Sequence, residues 1–580
     1  MNILLSRLIK FTLLLTPLLC FGVSPKIAPD LAGVPPQTTV TVIIRFSSPL
    51  DNAGKQKLKN QGGTLKAELN LIRAAAYTLP AAALNGIAND PQVIYISPDR
   101  SLGATLNYAS PTVGAQIALQ YGWNGTGVGI AVIDSGINSS RDLNDPANPK
   151  PGVSRIVYSE SFVGQAPGGQ DHYGHGTHVA GILAGNGSAS TGPNYYRTFG
   201  GIARNANLIN LQVLDGNGMG TDSAVINAIS RAVELKTAYN IRVINLSLGR
   251  PVYESYSKDP LCQAVEKAWQ AGIVVVVAAG NEGRNRSQGT EGYATITSPA
   301  NDPLVITVGA MKHMGTNWRA DDLIASYSSK GPTLIDHVVK PDLVAPGNRI
   351  VSLASSNGLI ATGSTANKVP ASYYQVTPGQ NFSTDYYQLS GTSMAAPMVS
   401  GAAALMLQKD PGLTPDTVKA RLMQTATKSF PMCSTVVDPA TNETFTSQYD
   451  IFTVGAGYLD VWAAMNATDS AAPTGAAASP SAVLDPVTGA VSVVNSTAAV
   501  WGTAAVWGTA AVWGTAAVWG TNVFVDGAAA VWGTAAVWGT AAVWGTAGTQ
   551  GNAAVWGTAA VWGTGRTAGE MLNQIVNGEN

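Results

Sequence analysis

Cysteine is nearly absent from this 580-residue chain: Cys20, Cys262 and Cys433 are all there is, too few for a disulfide framework. Charge of one sign is missing as well, with 34 Lys and Arg against 35 Asp and Glu and a net charge of −1. So flat a balance leaves no electrostatic footprint for nucleic acid and no steering field for a charged partner. The apolar run Phe11–Val23 has 13 residues, against the roughly 20 that a membrane span requires. Behind Arg7 and Lys10 it reads instead as a signal peptide cleaved between Gly22 and Ser24, with no stable membrane span left afterwards. Cys20 opens a lipoprotein alternative, but Leu19 stands where a small residue is wanted. Leader removal leaves Cys262 and Cys433, either one disulfide in an oxidising compartment or two free thiols. The length allows more than one domain with a large core.

The chemistry is concentrated in a few short blocks. Gly391-Thr392-Ser393-Met394-Ala395-Ala396-Pro397 leads into an apolar, Ala-rich run to Leu407. A serine there sits at the positive end of a helix among unpaired N–H groups, which suits a nucleophile whose attack creates an oxyanion. By itself such a serine is usually just a helix cap. Upstream, Gly129–Asp134 reads as a buried parallel strand ending in Asp134 and the turn Ser135-Gly136. The carboxyl ends of such strands are where sites form. Farther on, Asp171-His172-Tyr173-Gly174-His175-Gly176-Thr177-His178 opens a second apolar helix. A serine hydrolase needs a base for the hydroxyl proton and an acid to orient that base; Asp134, His175 and Ser393 supply the three roles. A metal cluster of His172, His175 and His178 is the competing reading, but on a helix they spread over roughly 9 Å of rise, too far for one tetrahedral ion.

These blocks, in the order Asp, His, Ser, resemble the signatures of the subtilisin-family serine proteases, the subtilases. The resemblance implies a doubly wound α/β parallel sheet, with Asp134 as orienting acid, His175 as general base, Ser393 as nucleophile and His178 as a buried neighbour. Ala278-Ala279-Gly280-Asn281-Glu282-Gly283, after the strand Ile273–Val277, resembles the family's oxyanion segment, with the Asn281 amide donating beside the Ser393 N–H. Val243–Gly249 resembles the segment that pairs with an extended peptide, implying substrate contacts at Ser247, Leu248 and Gly249, with Gly280 and Glu282 at the pocket. Glu282 near the pocket floor favours basic P1 residues, although a buried strand with a surface acid fits the same letters. Polypeptides are the implied substrates and no cofactor is required. Calcium is a family trait, and Asp142 and Asn186 lie in matching neighbourhoods without enough clustered oxygens to define a site, so a structural ion stays open.

The expected layout is signal peptide 1–24, propeptide 25–106, catalytic domain 107–469, linker 470–497, repeats 498–564 and a short end, 565–580. Val40–Phe46, Pro49–Asn60, Thr64–Leu71, Ala74–Leu79, Pro80–Asn89 and Val93–Ser97 read as strand, helix, strand, strand, helix, strand, the ferredoxin-like α+β order. This unit resembles the family's inhibitory propeptide, acting in cis with Pro98–Asn107 in the cleft and self-cleavage within Ser101–Thr112; a permanent small domain is the alternative. In the catalytic region, strands are expected at Gly129–Asp134, Asn207–Leu214, Val243–Leu246, Ile273–Ala278 and Val305–Val308. Helices are expected at Asp222–Ala238, Cys262–Ala271, Ser393–Lys409 and Pro415–Ala426. Ser188–Phe199 and much of Ser352–Gln388 are polar, Tyr-rich extra segments, read as surface decoration or as tuners of substrate access.

From Ala498 to Thr564 the hexad Ala-Ala-Val-Trp-Gly-Thr recurs, carrying nine of the chain's 13 tryptophans and one charge, Asp526. An even period places every Trp on one face of a strand, whereas a helix scatters them. An extended sticky segment, a sugar-binding Trp ladder and an expansion without function all fit. The combined expectation is a secreted or cell-surface, monomeric serine endopeptidase made as a precursor. The alternative is a catalytically silent subtilase-like binding protein whose tail is the working part.

Overall fold

A computed structural model describes residues 24–28, 31, 34–70, 73–98, 108–146, 148, 152–164, 168–285, 291–355, 357–363, 366–438, 441–468, 475–484, 491–494, 524–525, 528–529 and 579. Residues 1–23 of the expected leader, the segment 99–107 and nearly all of the hexad repeats lie outside the described residues. The chain divides into two compact units, 1–102 and 103–580.

In the first unit, alternation of Val40, Val42, Ile44 and Phe46 makes Thr39–Phe46 (β1) a one-sided strand. Asp51 caps the helix Asn52–Asn60 by accepting from the Gly54 N–H at 2.7 Å, and Lys57 and Lys59 suit its negative end. Thr64–Leu69 (β2), Ala74–Pro80 (β3), the short helix Leu84–Ala88 and Val93–Pro98 (β4) follow. The four strands pair antiparallel in the order β2-β3-β1-β4.

The second unit is built on Gly129–Asp134 (β5), Ile156–Ser161 (β6), Asn207–Gln212 (β7), Ile241–Leu246 (β8), Val274–Ala278 (β9), Ile306–Lys312 (β10), Leu323–Ile324 (β11) and Leu343–Pro346 (β12). Their order is β11-β10-β9-β8-β5-β7-β6, with β12 also beside β10. All pairs are parallel except β10 with β11. Strands β5, β9 and β10 are buried at every residue, as strands covered on both faces must be. Two helix layers cover them: His175–Ala184 packs on Thr392–Lys409, and Asp222–Glu234 packs on Pro260–Gln270. Helix Thr392–Lys409 is buried on all sides from Met394 to Leu407, so it runs through the core. The architecture is the α/β parallel sheet expected of this sequence, and β5 delivers Asp134 to its carboxyl edge.

Three strands of this sheet were not legible beforehand. β6 is an edge strand with a half-exposed pattern, β11 is two residues long and β12 four, so none shows a period worth reading. Cys262 is buried with its Sγ 3.3 Å from Asn301 Oδ1 and Cys433 is exposed; both are free thiols, so the disulfide alternative does not hold here. No described helix is long and apolar enough to cross a membrane.

Within the stretch expected as a linker, residues 475–484 pack against the catalytic core. Ala476, Ala477, Ser479 and Ala482 are buried, and the Ala482 N–H donates to the His337 carbonyl at 2.7 Å. The anchor is ionic. Lys340 and Lys419, both fully buried, bracket Asp342 at 2.7 and 3.1 Å, and the Ser479 hydroxyl donates to the same carboxylate at 2.5 Å. Burial pushes the Asp342 pKa up, but the two lysines outweigh it and hold the carboxyl below its usual range. Lys419 also donates to the carbonyls of Pro303, Leu304 and Val305, which no apolar residue could satisfy. Lys419→Met should therefore cost roughly 3–5 kcal/mol, read as a fall in the urea midpoint at unchanged slope. A loss under about 0.5 kcal/mol would put the network outside the stabilising core.

Candidate active site

Asp134 ends β5 fully buried, with Oδ1 accepting from the Ser135 N–H at 2.7 Å and from His175 Nδ1 at 2.8 Å. Nδ1–H therefore points at the carboxylate, leaving Nε2 as the acceptor face of the imidazole. Burial lowers the His175 pKa, but the adjacent Asp134 charge outweighs it and the net position is above the ordinary 6.5. His175 is also the first residue of its helix, and the turn before it is tied down by Asp171. That buried carboxylate accepts from the Ser135 hydroxyl at 2.8 Å, the Gly174 N–H at 2.6 Å and the Thr177 N–H at 2.8 Å. Ser135 Oγ in turn accepts from the Gly176 N–H at 2.9 Å, which stitches the Asp134 turn to the His175 helix. Gly136 sits at φ 108°, where a Cβ would meet the Gly169 carbonyl at 2.5 Å. Sequence reading placed Asp171 at the head of this block but gave it no role of its own.

Ser393 enters the site on a different element. Gly391, at φ 149°, offers no side-chain cap, so the first N–H groups of the helix Thr392–Lys409 are left for other partners. The Thr392 N–H takes Asn281 Oδ1 at 2.9 Å and the Thr392 hydroxyl takes the same oxygen at 3.1 Å. That fixes the Asn281 amide. A side chain at position 391 would stand 3.3 Å from Asn281 Nδ2, so glycine keeps this space open. Neither Asn281 Nδ2 nor the Ser393 N–H has a hydrogen-bond acceptor among the described residues.

Proline inside this helix has a specific effect. Pro397 has no N–H, so the Ser393 carbonyl four residues earlier lacks its helical donor. The Ser247 hydroxyl replaces it at 2.8 Å, and the Ser247 carbonyl accepts from the Ser393 hydroxyl at 3.1 Å. Asn245 Nδ2 holds the Ser247 hydroxyl from below at 2.9 Å. Ser247 thus carries its side chain toward Ser393, a role the substrate-segment reading did not include. No hydrogen bond joins Ser393 to His175 here; such contacts commonly tighten only around a bound substrate.

Residues 125–457 match the model of the Subtilase family. The chain belongs to the subtilase family. It is a serine-type endopeptidase, a hydrolase acting on polypeptides. Among its relatives, serine protease AprX of Bacillus subtilis is 35% identical over 400 residues, covering 66% of this chain and 82% of that protein. Subtilisin E of the same organism is 35% identical over 378 residues, covering 64% of this chain and 80% of the relative. A thermostable alkaline protease of Halalkalibacterium halodurans is 31% identical over 347 residues, or 59% and 75% of the two chains.

In this subtilase the segment after β8 leaves its backbone unspent. The N–H and C=O groups of Leu248 and Gly249 have no partner among the described residues, and a Cβ at Gly249 would lie 2.5 Å from Thr297 Oγ1. Gly280, at φ 108°, packs against Thr297 and Ser329, and the Glu282 N–H is held by Ser329 Oγ at 3.0 Å. On the Asp134 side, a groove of about 680 Å³ is lined by Phe162, His172, Gln212, Asp215, Met219 and Gly220 among others. The three histidines diverge: His172 is exposed, while His178 is fully buried, donates to the Ile350 carbonyl at 3.0 Å, and has its pKa lowered by burial to about 3. Among the described residues no cluster of three His, Cys, Asp or Glu side chains could hold a metal.

The two long extra segments meet at the position where calcium was left open. Tyr195 stacks on Tyr374 at 5.7 Å, Arg197 lies 4.0 Å over Tyr373, and Phe199 meets Tyr386 edge-on at 4.8 Å. The Tyr386 hydroxyl donates to Asp142 Oδ2 at 2.8 Å, while Oδ1 accepts from the Ala189 N–H at 2.6 Å. Asn186 Oδ1 is already occupied by the Ser188 N–H and hydroxyl. Protein donors thus fill the oxygens that calcium would need, so these residues do not fit the ion.

Two measurements check this site. The kcat/KM should fall as pH drops through the raised His175 pKa, because only the neutral imidazole accepts a proton, so the acid half-point stands above 6.5. Asp134→Asn should lower kcat by about 10⁴ and move that half-point down, since the charge that raises it is gone; an unmoved half-point would assign the titration elsewhere. EDTA should leave the melting temperature unchanged, whereas Tyr386→Phe, which strands a buried carboxylate oxygen, should cost about 1–3 kcal/mol. An EDTA-induced drop in wild type would show that an ion does bind.

Proposed function

We propose that this subtilase is a secreted serine endopeptidase, made as a precursor and matured by its own active site. Ser393 acts as nucleophile, His175 as general base and Asp134 as the acid that orients it. The observation that carries the reading is the pair of unspent donors, Ser393 N–H and Asn281 Nδ2, beside a serine hydroxyl at a helix start. In the acylation step the Ser393 hydroxyl turns from the Ser247 carbonyl, gives its proton to His175 Nε2 and attacks the peptide carbonyl. The oxygen that becomes negative is met by the two donors, preorganised and without a competing partner. His175 then returns the proton to the leaving amine, and water repeats the cycle in reverse to free the enzyme.

An extended polypeptide supplies the strand that the backbone of Ser247, Leu248 and Gly249 lacks, with side-chain selection at Gly280 and Glu282 favouring a basic P1 residue. The unit 25–106 serves as inhibitor in cis, and secretion follows the leader 1–24. The enzyme works as a monomer without a cofactor. The antiparallel sheet at 39–98 supports the propeptide role by forming a compact unit of its own. A fluorophosphonate should label Ser393 after removal of the propeptide, and casein should be cleaved. Ser393→Ala should abolish both and leave the chain uncut within Ser101–Thr112. Normal maturation of that variant would overturn self-processing, and absence of labelling in wild type would turn the reading toward a silent, tail-driven binding protein.

A further inference from the structure

Beyond the repeats, a single described residue is buried inside the catalytic unit. The side chain of Glu579 is 1% exposed, and its Oε1 meets Arg284 Nη2 at 2.7 Å and the Ser326 N–H at 2.9 Å, with the Ser326 hydroxyl donating to the same oxygen. Its main chain is held as well. Asn348 Nδ2 donates to the Glu579 carbonyl at 2.9 Å, and the Glu579 N–H donates to Asn348 Oδ1 at 2.9 Å. A side-chain amide that pairs with both groups of one residue reads that residue as a strand partner would, in one direction and one register.

The receptor is built, not incidental. Ser326 and Asn348 are each 2% exposed, and Arg284 is fixed from three sides: Ser326 Oγ accepts from Nε at 2.7 Å, Asp438 accepts from Nη1 at 2.5 Å, and the Phe445 ring lies 4.8 Å from the guanidinium. A carboxylate leaves water for such a place only if its partners are in position beforehand. The socket also stands on the loops of the site. Arg284 is three residues past Asn281, and Asn348 follows Gly347, whose carbonyl accepts from the Gly391 N–H at 2.8 Å. At the other end of the repeats, Ser481–Leu484 is joined to the catalytic unit through Val338 and pairs with Val491–Val494.

We infer that Arg284, Ser326 and Asn348 form a recognition site for a glutamate in an extended peptide, and that its resident ligand is Glu579 of the same chain. The repeat region is thereby clasped to the protease at both ends and stays attached when the chain between them is cut. The inference does not depend on the catalytic reading.

The test uses the full chain carrying Ser393→Ala, with the recognition sequence of a site-specific protease placed between residues 547 and 552. After cutting, the downstream fragment should co-elute with the rest in gel filtration. With Glu579→Ala it should be released, while circular dichroism stays unchanged. Release without that substitution would overturn the clasp, and so would retention despite it, which would mean that the repeats themselves stick. A fluorescent peptide of residues 575–580 added to the cut Glu579→Ala protein should bind, and the same peptide carrying Glu579→Gln should bind at least about tenfold more weakly. Equal binding of the two peptides would sink the claim that the site reads a carboxylate.

Discussion

Pro397 denies the Ser393 carbonyl its helical donor, and much of the site is organised around that one missing bond. Ser247 must bring its hydroxyl to the carbonyl, which brings the end of β8 against the start of the core helix. The same approach exposes the backbone of Leu248 and Gly249 and offers the Ser247 carbonyl to the Ser393 hydroxyl. A proline in a helix interior ordinarily costs about 3 kcal/mol or more. Here the loss is local and is met by a neighbouring strand, and the helix continues unbroken to Lys409.

The remaining groups are placed by the carboxyl edge of a parallel sheet. β5 ends on Asp134, β8 runs into Ser247, and β9 runs into Gly280 and Asn281, so three strands deliver four residues to one edge. The polar side chains among them are then held by contacts from other residues: Asp134 by Ser135 and His175, Asn281 by Thr392, Ser247 by Asn245. Among the groups that this cross-bracing leaves free at the edge are two donors, the Ser393 N–H and Asn281 Nδ2, and one acceptor, the second carboxylate oxygen of Asp134.

Away from the edge, partners supplied to buried charges and amides explain the additions to the core. Lys340, Lys419 and Asp342 fasten residues 475–484. Tyr386 closes over Asp142. Arg284 and Asn348 receive Glu579. In each case a segment distant in sequence provides the partner that a buried charge or amide requires.

The motifs around Asp134, His175, Asn281 and Ser393 are legible in the sequence because strand ends, glycine turns and helix starts leave local marks: apolar runs and the glycines that interrupt them. The parallel sheet follows from alternating apolar runs and helical stretches for the same reason. Edge strand β6, four-residue β12 and the packing of residues 475–484 leave no such mark, since an exposed edge, a short run and an Ala-rich segment have no period. What the tertiary structure alone decided are the contacts between remote segments: Ser247 on the Ser393 carbonyl, Tyr386 on Asp142, Glu579 in its socket. A hydrogen bond across the fold depends on distance and direction in space, and a one-dimensional pattern carries neither.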